Sequence, residues 1–201
     1  TGILDGTGEN NGVLKSFAIQ NDGSLEEISA RPAEKSPILA YVHYRRDYEH
    51  VFTISYVGGG VHAYPVDTSG IIGDESGYAK HVGGSGVVKS RQLEAHPHSI
   101  YTHPGKPYVY VPDLGQDAIV HYNFDPVTGK LEMASRLKSA GGGGPRHMAF
   151  HSSGTFAYVN NEITSTVDLL SIDEGDGSME IVDAHSILPE EFKGPNSTAQ
   201  I

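Results

Sequence analysis

Polar and charged side chains occupy equivalent positions in repeated segments whose other positions keep an apolar pattern. Three segments each begin with a proline, and the residue after the proline is Ile38, His98 or Arg146. A later turn of the third segment carries Glu162. Arginine offers a planar fork for a carboxylate or phosphate, histidine passes protons near neutral pH, and a glutamate beside an arginine can orient water or accept a proton. We predict that His98, Arg146 and Glu162 are the catalytic residues.

Three further polar residues flank this set. Asp113 and Asn161 occupy the same point of consecutive segments, and His147 directly follows the arginine. We predict that these three bind substrate. The whole set suits attack on, or formation of, a lactone in an anionic sugar or organic acid. The residues alone leave a second interpretation open, in which polar side chains line a wet channel and have no catalytic role.

The segments that carry these residues are copies of one another. Residues 103–113 match residues 151–161 at an offset of 48, and residues 122–125 match residues 170–173 at the same offset. An earlier copy precedes them at an offset of 58, and its extra residues fall in the Gly- and Ser-rich stretch at 73–90. Repetition at this period indicates a series of similar supersecondary units.

Each copy contains four short strand-like runs separated by turn residues. In one copy the runs are residues 98–103, 108–112, 118–124 and 130–136. Pro-Gly, Leu-Gly and Asp-Pro-Val-Thr-Gly sequences separate them, as expected for tight turns. Four strands in about 50 residues, repeated, are typical of a β-propeller blade. We therefore predict an all-β fold, a β-propeller of four-stranded antiparallel blades.

The repeats divide a single partial β-propeller domain, residues 1–201, into approximate blades. The predicted blades are residues 1–36, 37–95, 96–143 and 144–193, and a further blade starts at 194–201. This is about three and a half blades, whereas a propeller has about 4–8, so we expect a piece of a larger propeller. The first strand of a blade lines the central channel. Its start opens on the same face as the turn between the second and third strands, so the candidate residues should meet at one mouth of the channel.

The composition argues against several classes of function. The 201 residues contain 14 lysines and arginines against 25 aspartates and glutamates, a net charge of −11. Nucleic acids need a clustered basic face, so we expect no nucleic-acid partner. The absence of cysteine argues against disulfides and a thiol nucleophile and suits a reducing, cytoplasmic location. No apolar run approaches a membrane span and no signal-peptide pattern is recognised, so no membrane association is expected.

Eleven histidines suggest a metal site as an alternative. His96 and His98 could face the same way, and His147 and His151 recur one copy later. A zinc site needs three converging ligands and an open position, and this spacing does not predict one, so we expect no metal and no cofactor. A calcium site built from carboxylate and amide oxygens stays an alternative. The glycine run at 141–144 lacks the lysine of a phosphate loop and is interpreted as a link that lets the channel strand approach closely.

Several runs together resemble the seven-bladed β-propeller lactonase family. They are the runs at residues 95–99, 108–117, 144–151 and 157–162. That family includes 6-phosphogluconolactonases of the propeller type and 3-carboxy-cis,cis-muconate lactonizing enzymes. The resemblance covers nearly the whole chain and implies a seven-bladed propeller in the complete protein.

The resemblance also implies an activity and a site. It implies a metal-independent lactone hydrolase of carbohydrate metabolism, similar to 6-phosphogluconolactonase, acting on a small anionic lactone through His98, Arg146 and Glu162. The muconate lactonizing branch shares these three positions and adds an arginine from a later blade, which has no counterpart in this chain. A muconate cyclase and a non-catalytic binding propeller therefore stay as alternatives.

Overall fold

Short antiparallel strands account for almost all regular structure in the computed structural model, which describes residues 3–4, 10–33, 36 and 38–201. The first sheet contains β1 (Ile3–Leu4), β2 (Asn10–Ile19) and β3 (Leu25–Ala33). The second contains β4 (Ile38–Arg45), β5 (His50–Val57), β6 (Gly60–Pro65) and β7 (Gly77–Lys80). A single 3-10 turn, Arg46–Tyr48, joins β4 to β5.

Two further sheets repeat this arrangement. The third contains β8 (Tyr101–Thr102), β9 (Tyr108–Asp113), β10 (Ala118–Phe124) and β11 (Leu131–Lys138). The fourth contains β12 (Pro145–Phe150), β13 (Phe156–Asn161), β14 (Thr166–Ile172) and β15 (Met179–Ser186). In each of these sheets every strand pairs with the next one along the chain, as in a propeller blade. The predicted all-β, partial-propeller fold is confirmed.

In the third and fourth sheets, an aspartate and a glycine set the turn between the last two strands. Asp125 accepts a hydrogen bond from the backbone nitrogen of Val127, and Gly129 adopts a φ of 75°. One blade later Asp173 accepts from Gly175, and Gly177 also has a φ of 75°. The left-handed conformation favours glycine, so the repeated sequence gives repeated turns.

Neighbouring sheets pack face to face through strands that are buried on both sides. In β10, Val120 packs among apolar residues of the second sheet, including Phe52 and Ile54. The preceding residue, Ile119, packs on the opposite side with Met148 and residues of the fourth sheet. Successive side chains of a strand point to opposite faces, so β10 joins two layers of the core.

One predicted strand is much shorter than expected. The run at 98–103 forms only β8, and most of residues 81–100 has no regular structure. Pro97 makes an isolated bridge to Asp113, whose carboxylate accepts a hydrogen bond from the backbone nitrogen of His96. This irregular segment lies over the third sheet and carries His98. The corresponding proline of the second sheet, Pro37, lies outside the described residues.

No helix in the described part of the chain is both long and apolar enough to cross a membrane.

Candidate active site

The first ion pair of the site links an arginine at the start of β12 to a glutamate in the turn that follows β13. Arg146 is the second residue of β12, and Glu162 directly follows β13. Arg146 Nε lies 2.9 Å from Glu162 Oε2. A second nitrogen of the guanidinium donates to the carbonyl oxygen of Ala199 in the segment after β15. Antiparallel pairing of β12 with β13 brings these two positions together, as the repeats predict.

A second arginine completes the charged cluster, and the sequence reasoning missed it. Arg91 Nη2 lies 2.6 Å from Glu162 Oε1, so each oxygen of the carboxylate faces a different guanidinium. Glu162 is the largest cause that raises the pKa of Arg91, and Tyr56 is the second. Arg91 lies in the irregular segment, just after the stretch treated as an insertion, so comparison of the repeats gives no signal for it. The side chain of Arg91 is 40% exposed to solvent, which leaves it accessible to a ligand.

Two imidazoles stand beside this cluster. His98 Nε2 lies 4.0 Å from Glu162 Oε2, and the rings of His98 and His147 meet edge to face at 5.4 Å between centroids. Burial, with the charge of Arg146 second, lowers the pKa of His98 to about 4. The same two causes lower the pKa of His147 to about 4. Both rings are therefore neutral at pH 7 and able to accept a proton.

Comparison with known proteins identifies the family. Residues 4–201 match the family model described as lactonase, 7-bladed beta-propeller. The chain belongs to this lactonase family. A 6-phosphogluconolactonase of Serratia proteamaculans is 30% identical over 194 residues, which cover 94% of this chain and 53% of that protein.

Solved structures agree with the family assignment. The periplasmic gluconolactonase of Pseudomonas aeruginosa superposes with a TM-score of 0.85 at 26% identity, covering 94% of this chain and 53% of that one. A Lactobacillus plantarum protein shares the fold with a TM-score of 0.84 at 23% identity, covering 93% and 53%. The lactonase-family chain thus spans about half the length of the relatives it matches.

In this lactonase-family chain, Tyr56 of the second sheet contacts His98 and its neighbour His96 from one side. The ring of Tyr56 stacks on His96 with centroids 4.6 Å apart and meets His98 edge to face at 5.4 Å. His96 Nδ1 also lies 3.0 Å from the carbonyl oxygen of Tyr56. These contacts hold the irregular segment against the end of β5 and restrict the orientation of the catalytic candidate.

Two of the residues that the sequence assigned to substrate binding do not face the cluster. Asp113 is fully buried. Its Oδ1 accepts hydrogen bonds from the backbone nitrogens of His96 and Gln116, and its Oδ2 lies 2.6 Å from Nδ1 of His81. Asn161 is also fully buried. Its amide donates to the hydroxyl of Thr166 at the start of β14. Both side chains stabilise loops near the site, whereas His147 lies beside Arg146, with 3.2 Å between their nitrogens.

A sizeable cavity of the described structure lies elsewhere. It has a volume of about 700 Å³, lies between the first and second sheets, and is lined in part by Leu14, Phe17 and Tyr44. None of the charged cluster lines it. Within the described residues, no group of three or more His, Asp or Glu side chains is arranged to hold a metal ion.

Proposed function

We propose that the full-length protein hydrolyses an anionic sugar lactone similar to 6-phosphogluconolactone at the cluster of Arg91, Arg146, Glu162 and His98. The observation that carries this proposal is the pair of guanidiniums on one carboxylate beside a neutral imidazole. The chain has a net charge of −11, so an anionic substrate needs this local positive charge. The cited relatives are a 6-phosphogluconolactonase and a gluconolactonase, which favours hydrolysis over cyclisation of a muconate.

The geometry supports a division of roles in the reaction. An arginine binds the carbonyl oxygen of the lactone and stabilises its negative charge, because a guanidinium stays protonated and cannot act as a base. Neutral His98 accepts a proton from water as the water oxygen bonds to the carbonyl carbon. The bond from that carbon to the ring oxygen then breaks, and the ring oxygen takes the proton. Glu162 stabilises the transient imidazolium from 4.0 Å and orients both arginines.

The same charges argue for a reaction that needs no metal ion. Glu162 is the carboxylate at the centre of the cluster, and both of its oxygens already face guanidiniums. A divalent cation at this carboxylate would be repelled by Arg91 and Arg146. The arginines themselves supply the positive charge that a metal would bring to the carbonyl oxygen.

A substrate comparison in the full-length protein tests the proposal. We expect hydrolysis of 6-phosphoglucono-lactone at a higher kcat/KM than the uncharged glucono-1,5-lactone, with rates unchanged by EDTA. The rate of base-catalysed lactone hydrolysis without enzyme is measured as the blank. Turnover of 3-carboxy-cis,cis-muconate without lactone hydrolysis would favour the cyclase, and no turnover of any of the three would favour a binding propeller. Loss of activity in EDTA would point to the metal alternative.

The proposed compartment is the cytoplasm. The absence of cysteine suits a reducing environment. The Pseudomonas aeruginosa relative is described as periplasmic, so the family includes another location. Fractionation of cells that express the full-length protein tests this point, and recovery outside the cytoplasm would contradict it.

A further inference from the structure

A buried carboxylate outside the charged cluster contacts both loops that carry the arginines. Asp117 lies in the turn between β9 and β10 with 4% exposure and a left-handed φ of 49°. Its Oδ1 accepts hydrogen bonds from Gln92 Nε2 at 2.5 Å and from the backbone nitrogen of Gly144 at 2.9 Å. Its Oδ2 accepts from the backbone nitrogen of Gly142 at 2.7 Å.

The first of these contacts fixes the position of Arg91. Gln92 follows Arg91 in the chain and is fully buried. Besides its bond to Asp117, the Gln92 side chain donates to the carbonyl oxygen of Leu114 and accepts from the backbone nitrogen of Val88. Arg91 has no strand pairing. It is held by the hydrogen bond of its own backbone nitrogen to the carbonyl oxygen of Val88 and by the side-chain hydrogen bonds of Gln92.

The other two contacts fix the loop that leads into Arg146. Gly142 and Gly144 have φ values of 80° and 67°, which favour glycine and turn their backbone nitrogens toward the carboxylate. The carbonyl oxygen of Gly144 accepts a hydrogen bond from the backbone nitrogen of Glu162 at 2.8 Å. The glycine run, interpreted from the sequence as a link for close approach of the channel strand, also supplies two backbone hydrogen-bond donors to Asp117.

We propose that Asp117 is a positioning residue that sets the spacing of Arg91 and Arg146 about Glu162 and thereby the affinity of the site for an anion. One carboxylate holds the loops of both arginines, so a change at Asp117 displaces the two guanidiniums relative to each other. The effect on catalysis rests on the proposed lactonase function. The effect on anion affinity does not depend on it.

The variant Asp117→Asn tests the proposal in the full-length protein. Asparagine keeps the shape of the side chain, but its amide nitrogen cannot accept the hydrogen bonds that the second carboxylate oxygen accepts. Calorimetric titration with inorganic phosphate is the probe. We expect the Kd for phosphate to rise about tenfold, because displacements of about 1 Å in a preorganised site have effects of this size or larger. For an anionic lactone we expect KM to rise more than kcat falls.

Two controls separate positioning from a loss of stability. Ile172→Ala removes buried apolar contacts in the fourth sheet, away from the arginines. We expect it to lower Tm and leave the phosphate Kd unchanged. Gln92→Met removes the hydrogen bonds of this side chain to Asp117, Leu114 and Val88 and leaves those of Asp117 with the glycine loop in place. It should therefore raise the phosphate Kd, and it replaces Asp117→Asn as the test if that variant does not fold.

A double variant tests whether Asp117 acts on the anion through the position of the arginines. In Arg91→Ala, one of the two guanidiniums is already gone, so adding Asp117→Asn should have a smaller effect on the phosphate Kd than it has alone. Phosphate affinity equal to wild type in Asp117→Asn or Gln92→Met would overturn the proposal, as would a wild-type protein that binds no phosphate. Weaker phosphate binding in a protein that hydrolyses no lactone would leave it standing and refute the proposed function.

Discussion

At the scale of single residues, the central feature is a carboxylate held between two planar cations. A guanidinium can bind one partner through two nitrogens, and an ammonium presents a single point charge. Arg146 uses Nε for Glu162 and another nitrogen for the carbonyl oxygen of Ala199. The arginine is therefore held in a defined orientation, and its replacement by lysine tests whether orientation matters beyond charge.

Arg146→Lys should lower kcat/KM for the anionic lactone by about tenfold or more, because a hydrogen bond to a charged group contributes about 1.5–3 kcal/mol. The Tm should change little. Arg136→Lys, on an exposed part of β11, is the matched control and should leave both quantities unchanged. Steady-state kinetics and thermal melts of the three proteins provide the comparison. An Arg146→Lys enzyme with the wild-type kcat/KM would show that the fork has no role.

The pH dependence of the reaction reports the protonation of His98. Its pKa is lowered to about 4, chiefly by burial and then by Arg146. Above this pH the ring is neutral and can accept a proton, and below it the ring is charged and cannot. The acid limb of kcat/KM should therefore lie near pH 4 and not near the usual pKa of histidine, about 6.5. Rate profiles and NMR titration of the ring protons measure both values, and an acid limb at the usual pKa would contradict the assignment.

The sequence predicts part of the site for a physical reason. His98, Arg146 and Glu162 replace other residues at fixed points of a repeat, and antiparallel pairing brings such points together. Arg91 lies in a segment without a counterpart in the other repeats, so no comparison within the chain reveals it. Asp113 occupies the repeat position that predicted a ligand contact, but its carboxylate turns inward to the backbone nitrogens of its own loop.

At the scale of elements, the irregular segment 81–100 is the part that the sequence predicted least well. The prediction of β10 as residues 118–124 is confirmed at both ends. The sequence reveals this strand because its successive apolar residues are buried on two opposite faces. The strand predicted at 98–103 shrinks to Tyr101–Thr102. Around Pro97, which has no backbone N–H to donate, the segment is held by backbone hydrogen bonds of its neighbours to the end of β9 and by the carboxylate of Asp113. Those contacts join residues distant in sequence, so local patterns do not reveal them.

A glycine in the turn after β9 lets this segment lie close to the third sheet. A Cβ at Gly115 would overlap the carbonyl oxygen of Glu94, whereas a Cβ at Gly105 would meet nothing within 4 Å. Gly115→Ala should therefore push the segment away. We expect a loss of about 1–3 kcal/mol in the free energy of unfolding and a higher KM for the lactone, because Arg91 and His98 move with the segment.

Gly105→Ala is the matched control, since it adds the same methyl group in the same blade. It should leave the free energy of unfolding and KM unchanged. Denaturant unfolding and steady-state kinetics measure the two effects. If Gly115→Ala is as stable and as active as Gly105→Ala, the close approach of the segment has no part in positioning the site.

At the scale of the whole molecule, several buried histidines couple stability to pH. His98, His121 and His147 each have a pKa lowered to about 4, with burial as the largest cause. In the unfolded chain the same groups titrate near 6.5, so between these values the unfolded state binds more protons. Stability is therefore fully present above about pH 6.5 and is lost as the pH falls toward about 4.

Urea unfolding of the full-length protein at a series of pH values should show this loss. His121 stacks on Tyr110 in the core and is remote from the charged cluster, so His121→Phe should reduce the loss of stability between pH 6.5 and 4. His185 is largely exposed, and His185→Gln is the control that should keep the wild-type dependence. Identical slopes for His121→Phe and wild type would rule out His121 as a source of the acid sensitivity.

The repeat predicts the whole-molecule architecture better than it predicts the site. Four-stranded sheets recur because the turn residues and the alternating apolar positions recur, and both are local features of the sequence. The convergence of an irregular segment, a strand start and a turn on Glu162 depends on packing between blades. The family match over residues 4–201 extends the repeat argument to relatives about twice the length of this chain.

The kcat of Glu162→Gln for lactone hydrolysis, measured in the full-length protein, tests the central claim most directly. Glutamine keeps the size of the side chain but removes the charge that orients both arginines and stabilises the imidazolium. We expect kcat to fall by about 10²-fold or more with a small change in Tm, while Glu132→Gln, an exposed change on β11, leaves kcat unchanged. A Glu162→Gln enzyme with nearly the wild-type kcat would contradict the account.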